Sequence, residues 1–246
     1  MELRCLYSRI ATVTLIRNNT HMVYLNKEQM EKVYEEAFDV LGISSLNIMD
    51  KAGENIADFI ESMKPKKVIV CYGAGNAGGV GLAIARIIHQ RGIFVEIVMA
   101  EKKLRENTIE QLSRARKTEI SEVGNVHAES GDVVVDALVG YNLSESPKGE
   151  YAVLIDKMNS ARSLGAKIVS VDVPTGIDST TGFLYTPHVK ADYTLSLGLP
   201  KSGMKEARDE IGELHLVDIG VPEKIYESLH IPNEHYFGRG SVVKIW

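Results

Sequence analysis

Two acids stand where an apolar run meets a turn: Asp136 in DVVVDALVGYN and Asp172 in KIVSVDVPTGIDSTTG. A carboxylate at the tip of a buried strand is costly to leave unpaired, so each calls for a cation, a helix end or a ligand hydroxyl. Thr175 adds a hydroxyl three residues past Asp172, while Pro174 fixes the turn and Gly176 frees its φ. Carboxylate, hydroxyl and free carbonyls together suit a hard cation or a polyol, and they place a candidate acid/base at a sheet edge. Asp178 reads as local turn chemistry, its side chain bonding nearby backbone.

A second kind of chemistry is written in VIVCYGAGNAGGVG, residues 68–81. Gly73, Gly75 and Gly78 fit G-x-G-x-x-G after an apolar strand, and a helix starting there would turn its backbone N–H groups toward an anion. The density of glycines up to Gly81 exceeds what packing needs, which points to ligand contact. A dinucleotide fold also wants an acid after the next strand, and Glu101 is the candidate. Lys201, in LGLPKSGM, either reaches an anionic group over the same edge or is a solvated loop residue. The seven histidines fall outside these loops, and neither Ser170 nor Ser202 sits in G-x-S-x-G, so a nucleophile relay has no support.

These loops need strands to carry them. KVIVCY, FVEIVMA, DVVVDALVG, KIVSVDVP, DYTLSLG and ELHLVDIGVP alternate with helical patterns such as GLAIARIIHQRG, TIEQLSRARKTEI and YAVLIDKMNSARSLG. That alternation signals βαβ units, and near-continuous hydrophobicity says that both sheet faces are covered. Ahead of them, 26–45 reads as an amphipathic helix capped by Asn26, and Ser45 opens a second one whose interior Gly53 implies close packing or ligand approach. The expectation is one three-layer α/β domain over 23–246, with residues 1–22 as an N-terminal extension. In such a sheet, ligands sit beyond the carboxyl ends of the strands.

Composition narrows the function class. With 44% hydrophobic residues and a net charge of −5, the 246-residue chain has the composition of a globular protein and no basic run that suits nucleic acid. The clusters Lys64, Lys66, Lys67 and Lys102, Lys103, Arg105 read as solvated faces. No apolar run is long enough for a bilayer. Two cysteines outside any C-x-x-C or Cys/His cluster exclude a disulfide framework and a zinc site, and fit a reducing, cytoplasmic setting.

The ordered set IMDKAG, GAGNAGGVGL, DALVGYNL, VDVPTGIDSTTG and LGLPKSGM resembles the YjeF N-terminal domain family, the NAD(P)H-hydrate epimerases. The resemblance implies a Rossmann-like three-layer α/β/α sandwich with a mostly parallel sheet and two N-terminal helices. It implies interconversion of the R and S forms of hydrated NADH or NADPH, with a separate ATP- or ADP-dependent dehydratase as functional partner and no redox cofactor. Carried over by position, Asn76, Ala77, Gly78, Gly79 and Val80 match a substrate loop. Gly140, Tyr141, Asn142, Leu143, Ser144, Glu145 and Ser146 match a second. Asp172 matches a substrate-contacting carboxylate and is the expected proton-transfer group. Asp136 and Thr175 match potassium positions.

The sequence departs from that pattern. Ala77 replaces an Asn that ligates potassium in the family, and Val80 replaces an Asp, which weakens both cation site and cradle. Tyr141-Asn142 stands for Thr-Gly, and Thr175 for Ser. Three readings follow: an epimerase, a non-catalytic nucleotide-binding or scaffolding relative, and an NAD-dependent oxidoreductase resting on the glycine spacing alone. The apolar side of the first helix leaves room for a homodimer.

Overall fold

The computed structural model describes residues 14–15, 22–232 and 235–246. The expectation for the N-terminal extension falls mostly outside these; its Thr14–Leu15 forms a short strand, β1. Two helices follow, α1 (Lys27–Asp39) and α2 (Ser45–Ser62), both closed by side-chain caps. Asn26 Oδ1 accepts from Gln29 N at 2.8 Å while Gln29 Oε1 accepts from Asn26 N, and Ser44 Oγ accepts from Asn47 N at 3.1 Å. Then come β2 (Val68–Tyr72), α3 (Asn76–Gln90), β3 (Val95–Met99), α4 (Glu106–Arg116), β4 (Ser121–Val123), β5 (Val133–Ala137), α5 (Glu150–Ser163) and β6 (Lys167–Val171). The chain closes with β7 (Tyr193–Leu197), α6 (Arg208–Ile211), β8 (Glu213–Val217), α7 (Glu223–Ser228) and β9 (Val242–Lys244).

All six apolar runs became strands. β1, β4 and β9 were not anticipated: at two or three residues each, they are too short to show a period of two. The sheet order is β1-β9-β8-β7-β6-β5-β2-β3-β4, and every pairing is parallel except β8 with β9. Alternation along β2 explains the layers. Val68, Val70 and Tyr72 pack with α2, α3 and α4 on one face, while Ile69 and Cys71 pack with Leu154, Ile155 and Met158 of α5 on the other. From β2 the chain runs outward to β3 and β4, then returns to place β5 on β2's opposite side. That reversal opens a crevice beyond the ends of β2 and β5.

Close approach of α3 to the sheet positions that crevice, and glycines permit it. A Cβ on Gly81 would lie 2.4 Å from Ala137 Cβ on β5, and one on Gly53 of α2 would lie 2.7 Å from Ala83 Cβ on α3. Gly79 faces the thioether end of Met49, a flexible neighbour that can move. Gly81→Ala should therefore lower unfolding free energy by about 1–3 kcal/mol through overpacking, whereas Gly79→Ala should lose less; urea titration of both variants measures the difference.

Candidate active site

The crevice is a cleft of about 310 Å³ beyond the ends of β2 and β5, where the strand order reverses. Gly75, Asn76, Ala77 and Val80 form one side, and Leu138 to Asn142 the other. Asp172 and Leu197 come from the loop after β6 and the end of β7, and Tyr34, Phe38, Ile48 and Met49 from the two leading helices.

α3 begins at Asn76 with Gly75 as its N-cap and no side-chain cap, so the first N–H groups of a 15-residue helix open on the cleft. The loop ahead of it is held from three sides. Ala74 N donates to Tyr151 Oη, Arg105 N donates to Ala74 O, and Thr108 Oγ1 donates to Gly75 O at 2.9 Å. Among the glycines of this loop, Gly75 alone lines the cleft and has open space around it. A Cβ on Gly73 would lie 2.0 Å from Leu138 O, and one on Gly78 would lie 2.0 Å from Gly73 O. The dense glycines thus mainly serve chain crossing and helix packing, contrary to the expectation that packing needs fewer. Gly78 and Gly79 are buried behind the cleft wall.

The two acids have different fates. Asp136, 1% exposed, does not reach the cleft. Its Oδ1 accepts from Thr175 Oγ1 at 2.7 Å and from Leu138 N at 3.3 Å; its Oδ2 accepts from Thr175 N at 2.8 Å and from Ser170 Oγ at 2.9 Å. Burial pushes its pKa up, against the pull of these four bonds. Thr175 Oγ1 also accepts from Val139 N at 3.0 Å, which ties the loop after β5 to the loop after β6. A carboxylate offers about four lone-pair sites, and here each meets a donor. Position 77 contributes a methyl group. This set does not fit a potassium ion: the expected ligands spend their oxygens on one another.

Asp172 is the carboxylate that lines the cleft, the sole one among the described residues there. It sits at φ +69, a left-handed conformation unusual for a residue with a side chain. Its Oδ2 accepts from Tyr141 N at 3.2 Å, and a Cβ on Gly140 would crowd it at 3.1 Å, so glycine there keeps a side chain off the carboxylate. Its Oδ1 accepts from Leu197 N at 3.2 Å and pairs with the ammonium of Lys201. Lys201 is fully buried and absent from the cleft wall. The solvated reading of it therefore fails; the anionic group it reaches is the Asp172 carboxylate itself. Burial pushes its pKa down while Asp172 raises it.

Aromatic rings from the leading helices were not anticipated in the site. Tyr34 stacks on Phe38 and on Tyr141, with centroids 6.0 Å apart in both pairs. Their spacing on α1 reads only as a helix face; what marks them is the loop that brings Tyr141 against them. Burial, reinforced by Asp172, raises the Tyr34 phenol well above its usual pKa and pushes Tyr141 to about 12. Both stay protonated near neutrality. Leu143, Ser144, Glu145 and Ser146 do not line the cleft, and Glu145 pairs with Lys148 instead. Glu101 also lies outside it, exposed and bonded to Lys103 N, so the acid needed by the oxidoreductase reading is missing from the site.

Because Asp136 answers four donors with no solvent to replace it, Asp136→Asn should cost on the order of 3 kcal/mol, read by chemical denaturation. Added potassium should leave the wild-type melting temperature unchanged relative to sodium.

Comparison with known proteins agrees with this geometry. A 212-residue alignment to an NAD(P)H-hydrate epimerase of Dehalogenimonas lykanthroporepellens is 34% identical and covers 83% of this chain and 84% of that one. The bifunctional NAD(P)H-hydrate repair enzyme Nnr of Escherichia coli is also 34% identical, over 76% of this chain but 37% of its own length. The crystal structure of yeast ynu0 superposes with a TM-score of 0.78 at 19% identity, over 91% of this chain and all of that one, and so shares the fold. Residues 45–203, which carry the cleft's two glycine-bearing loops together with Asp172 and Lys201, match the family described as YjeF-related protein N-terminus, and the chain belongs to that family.

Proposed function

We propose that the chain is an NAD(P)H-hydrate epimerase, acting on hydrated NADH or NADPH. The observation that carries this reading is Asp172: one carboxylate, half tied down and half turned into a cleft at the sheet's switch point. Relatives at 28–34% identity named for this activity support it.

Each part of the cleft has a task in that reaction. The uncapped N-terminus of α3, with Asn76, takes a phosphate, and Arg105 at the rim adds a positive charge. The Tyr34–Tyr141 wall and the apolar floor of Ile48, Met49, Val80 and Leu138 exclude water from the ring. Inversion at a hydrated ring carbon requires a bond to that carbon to break and re-form on the opposite face, with a proton removed and returned. In this reading Asp172 Oδ2 exchanges that proton. No metal is assigned a step, since Asp136 and Thr175 satisfy each other.

A separate dehydratase that consumes the S form, a homodimer, and residence in the reducing cytoplasm that suits the free thiol of Cys71 belong to the same reading. Ala77 and Val80 favour a second one, a relative that binds nucleotide without turnover. In that case Ala77→Asn with Val80→Asp would create an activity that the wild type lacks.

The test supplies the R-hydrated cofactor with an S-specific dehydratase. Wild-type protein should accelerate its consumption, and Asp172→Asn should lower kcat by about 100-fold or more. Equal rates for the two proteins would reject the role of Asp172, and a fully active wild type would reject the binding-only reading.

A further inference from the structure

We infer that Lys201 is a positioning residue for this reaction, fixing one oxygen of Asp172 so that the other alone meets the substrate. The inference rests on the epimerase reading of the cleft and adds a residue that does not touch it.

The division between the two oxygens is visible in their partners. Oδ1 takes the Lys201 ammonium and Leu197 N; Oδ2 takes only Tyr141 N, beside Gly140. Lys201 is held as firmly as it holds. Its Nζ donates to Leu197 O at 2.8 Å and to Ser196 Oγ at 3.3 Å, so all three ammonium protons are directed. On the main chain, Leu25 bridges to Lys201 in parallel, with Leu25 N donating to Pro200 O at 2.8 Å and Ser202 N donating to Leu25 O at 2.9 Å. The segment that enters α1 therefore closes over the lysine and seals it from water.

Stability alone does not account for this arrangement. A buried ion pair is often no better for folding than apolar residues of the same volume, because both charges must be desolvated. Here the pair ends at the cleft and its acid sits in a strained backbone conformation, a combination that accumulates at functional sites. The other titratable groups against Asp172 are Tyr34 and Tyr141, both held neutral by burial, so Lys201 is the one cation facing this carboxylate among the described residues.

A double-mutant cycle on kcat tests the inference, using Lys201→Met, Asp172→Asn and the pair, with hydrated NADPH as substrate. Lys201→Met should lower kcat at least about 30-fold while KM stays within about threefold, the pattern of a lost transition-state contribution. In the Asp172→Asn background the same change should cost nothing further. A further loss of about tenfold there overturns the inference, because damage that does not pass through Asp172 multiplies. Should Lys201→Met fail to fold, Lys201→Gln, which keeps an N–H donor for Oδ1, replaces it in the cycle with the same expected and overturning outcomes. A wild type inactive on hydrated cofactor defeats the proposed function instead. The Lys201 assignment is then read from the crystal structure of Lys201→Met: a carboxylate turned away from Tyr141 N sustains it, and an unmoved one overturns it.

Discussion

A carboxylate sealed from water must have its lone pairs answered, and this requirement organises the site twice over. Asp136 lies inside β5 and draws its donors from Ser170 on β6, from Thr175 beyond β6 and from the turn at Leu138. Satisfying one buried charge therefore fixes two loops in register. Asp172 repeats the device one strand further on, drawing on Lys201, Leu197 N and Tyr141 N. Ser179 Oγ, which donates to Tyr141 O at 2.8 Å, closes the lattice from the other side. The cleft wall from Leu138 to Asn142 is thus built by polar bonds to its neighbour loop, with no regular secondary structure of its own.

The same bonds separate the roles of the two acids. Asp136 answers four donors and faces no space, which makes it a structural staple. Asp172 answers three and lines the cleft beside Gly140. A group meant to exchange a proton must keep one lone pair open to the substrate while its orientation stays fixed. Of the two, Asp172 alone lines the cleft, with its orientation fixed by three donors. Its backbone is left-handed at the residue that follows β6, directly after Val171.

Much of this was legible in the chain. VIVCY and VVVDA announce strands buried on both faces, and the acids at the ends of such runs announce polar work at the sheet edge. Less was legible about depth. Asp136 and Asp172 read alike in sequence because whether an acid points between strands or into a crevice depends on its neighbours in the fold. Lys201 could be read as solvated or as reaching an anion for the same reason: nothing in LGLPKSGM says that Leu25 will bridge across it or that the anion is Asp172. The glycines misled in the opposite direction. G-x-G-x-x-G advertises a ligand, yet a Cβ on Gly73, Gly78 or Gly81 would come within 2.4 Å of a neighbouring atom. Tyr34 and Phe38 could be read as a core stripe on α1, and only the return of Tyr141 makes them a wall.

Ala77 and Val80 change meaning in this setting. A side-chain amide or carboxylate at those positions would hold a ligand or ion by specific bonds, and losing it would weaken such a hold. The backbone N–H groups at the start of α3 are indifferent to which side chains follow them, so anion recognition can survive both replacements. Apolar side chains there also lower the polarity around Asp172, and a charge acts more strongly where fewer waters screen it. Two substitutions that read in sequence as a damaged cradle leave three features of the cleft in place: a helix end, an aromatic wall and one oriented carboxylate.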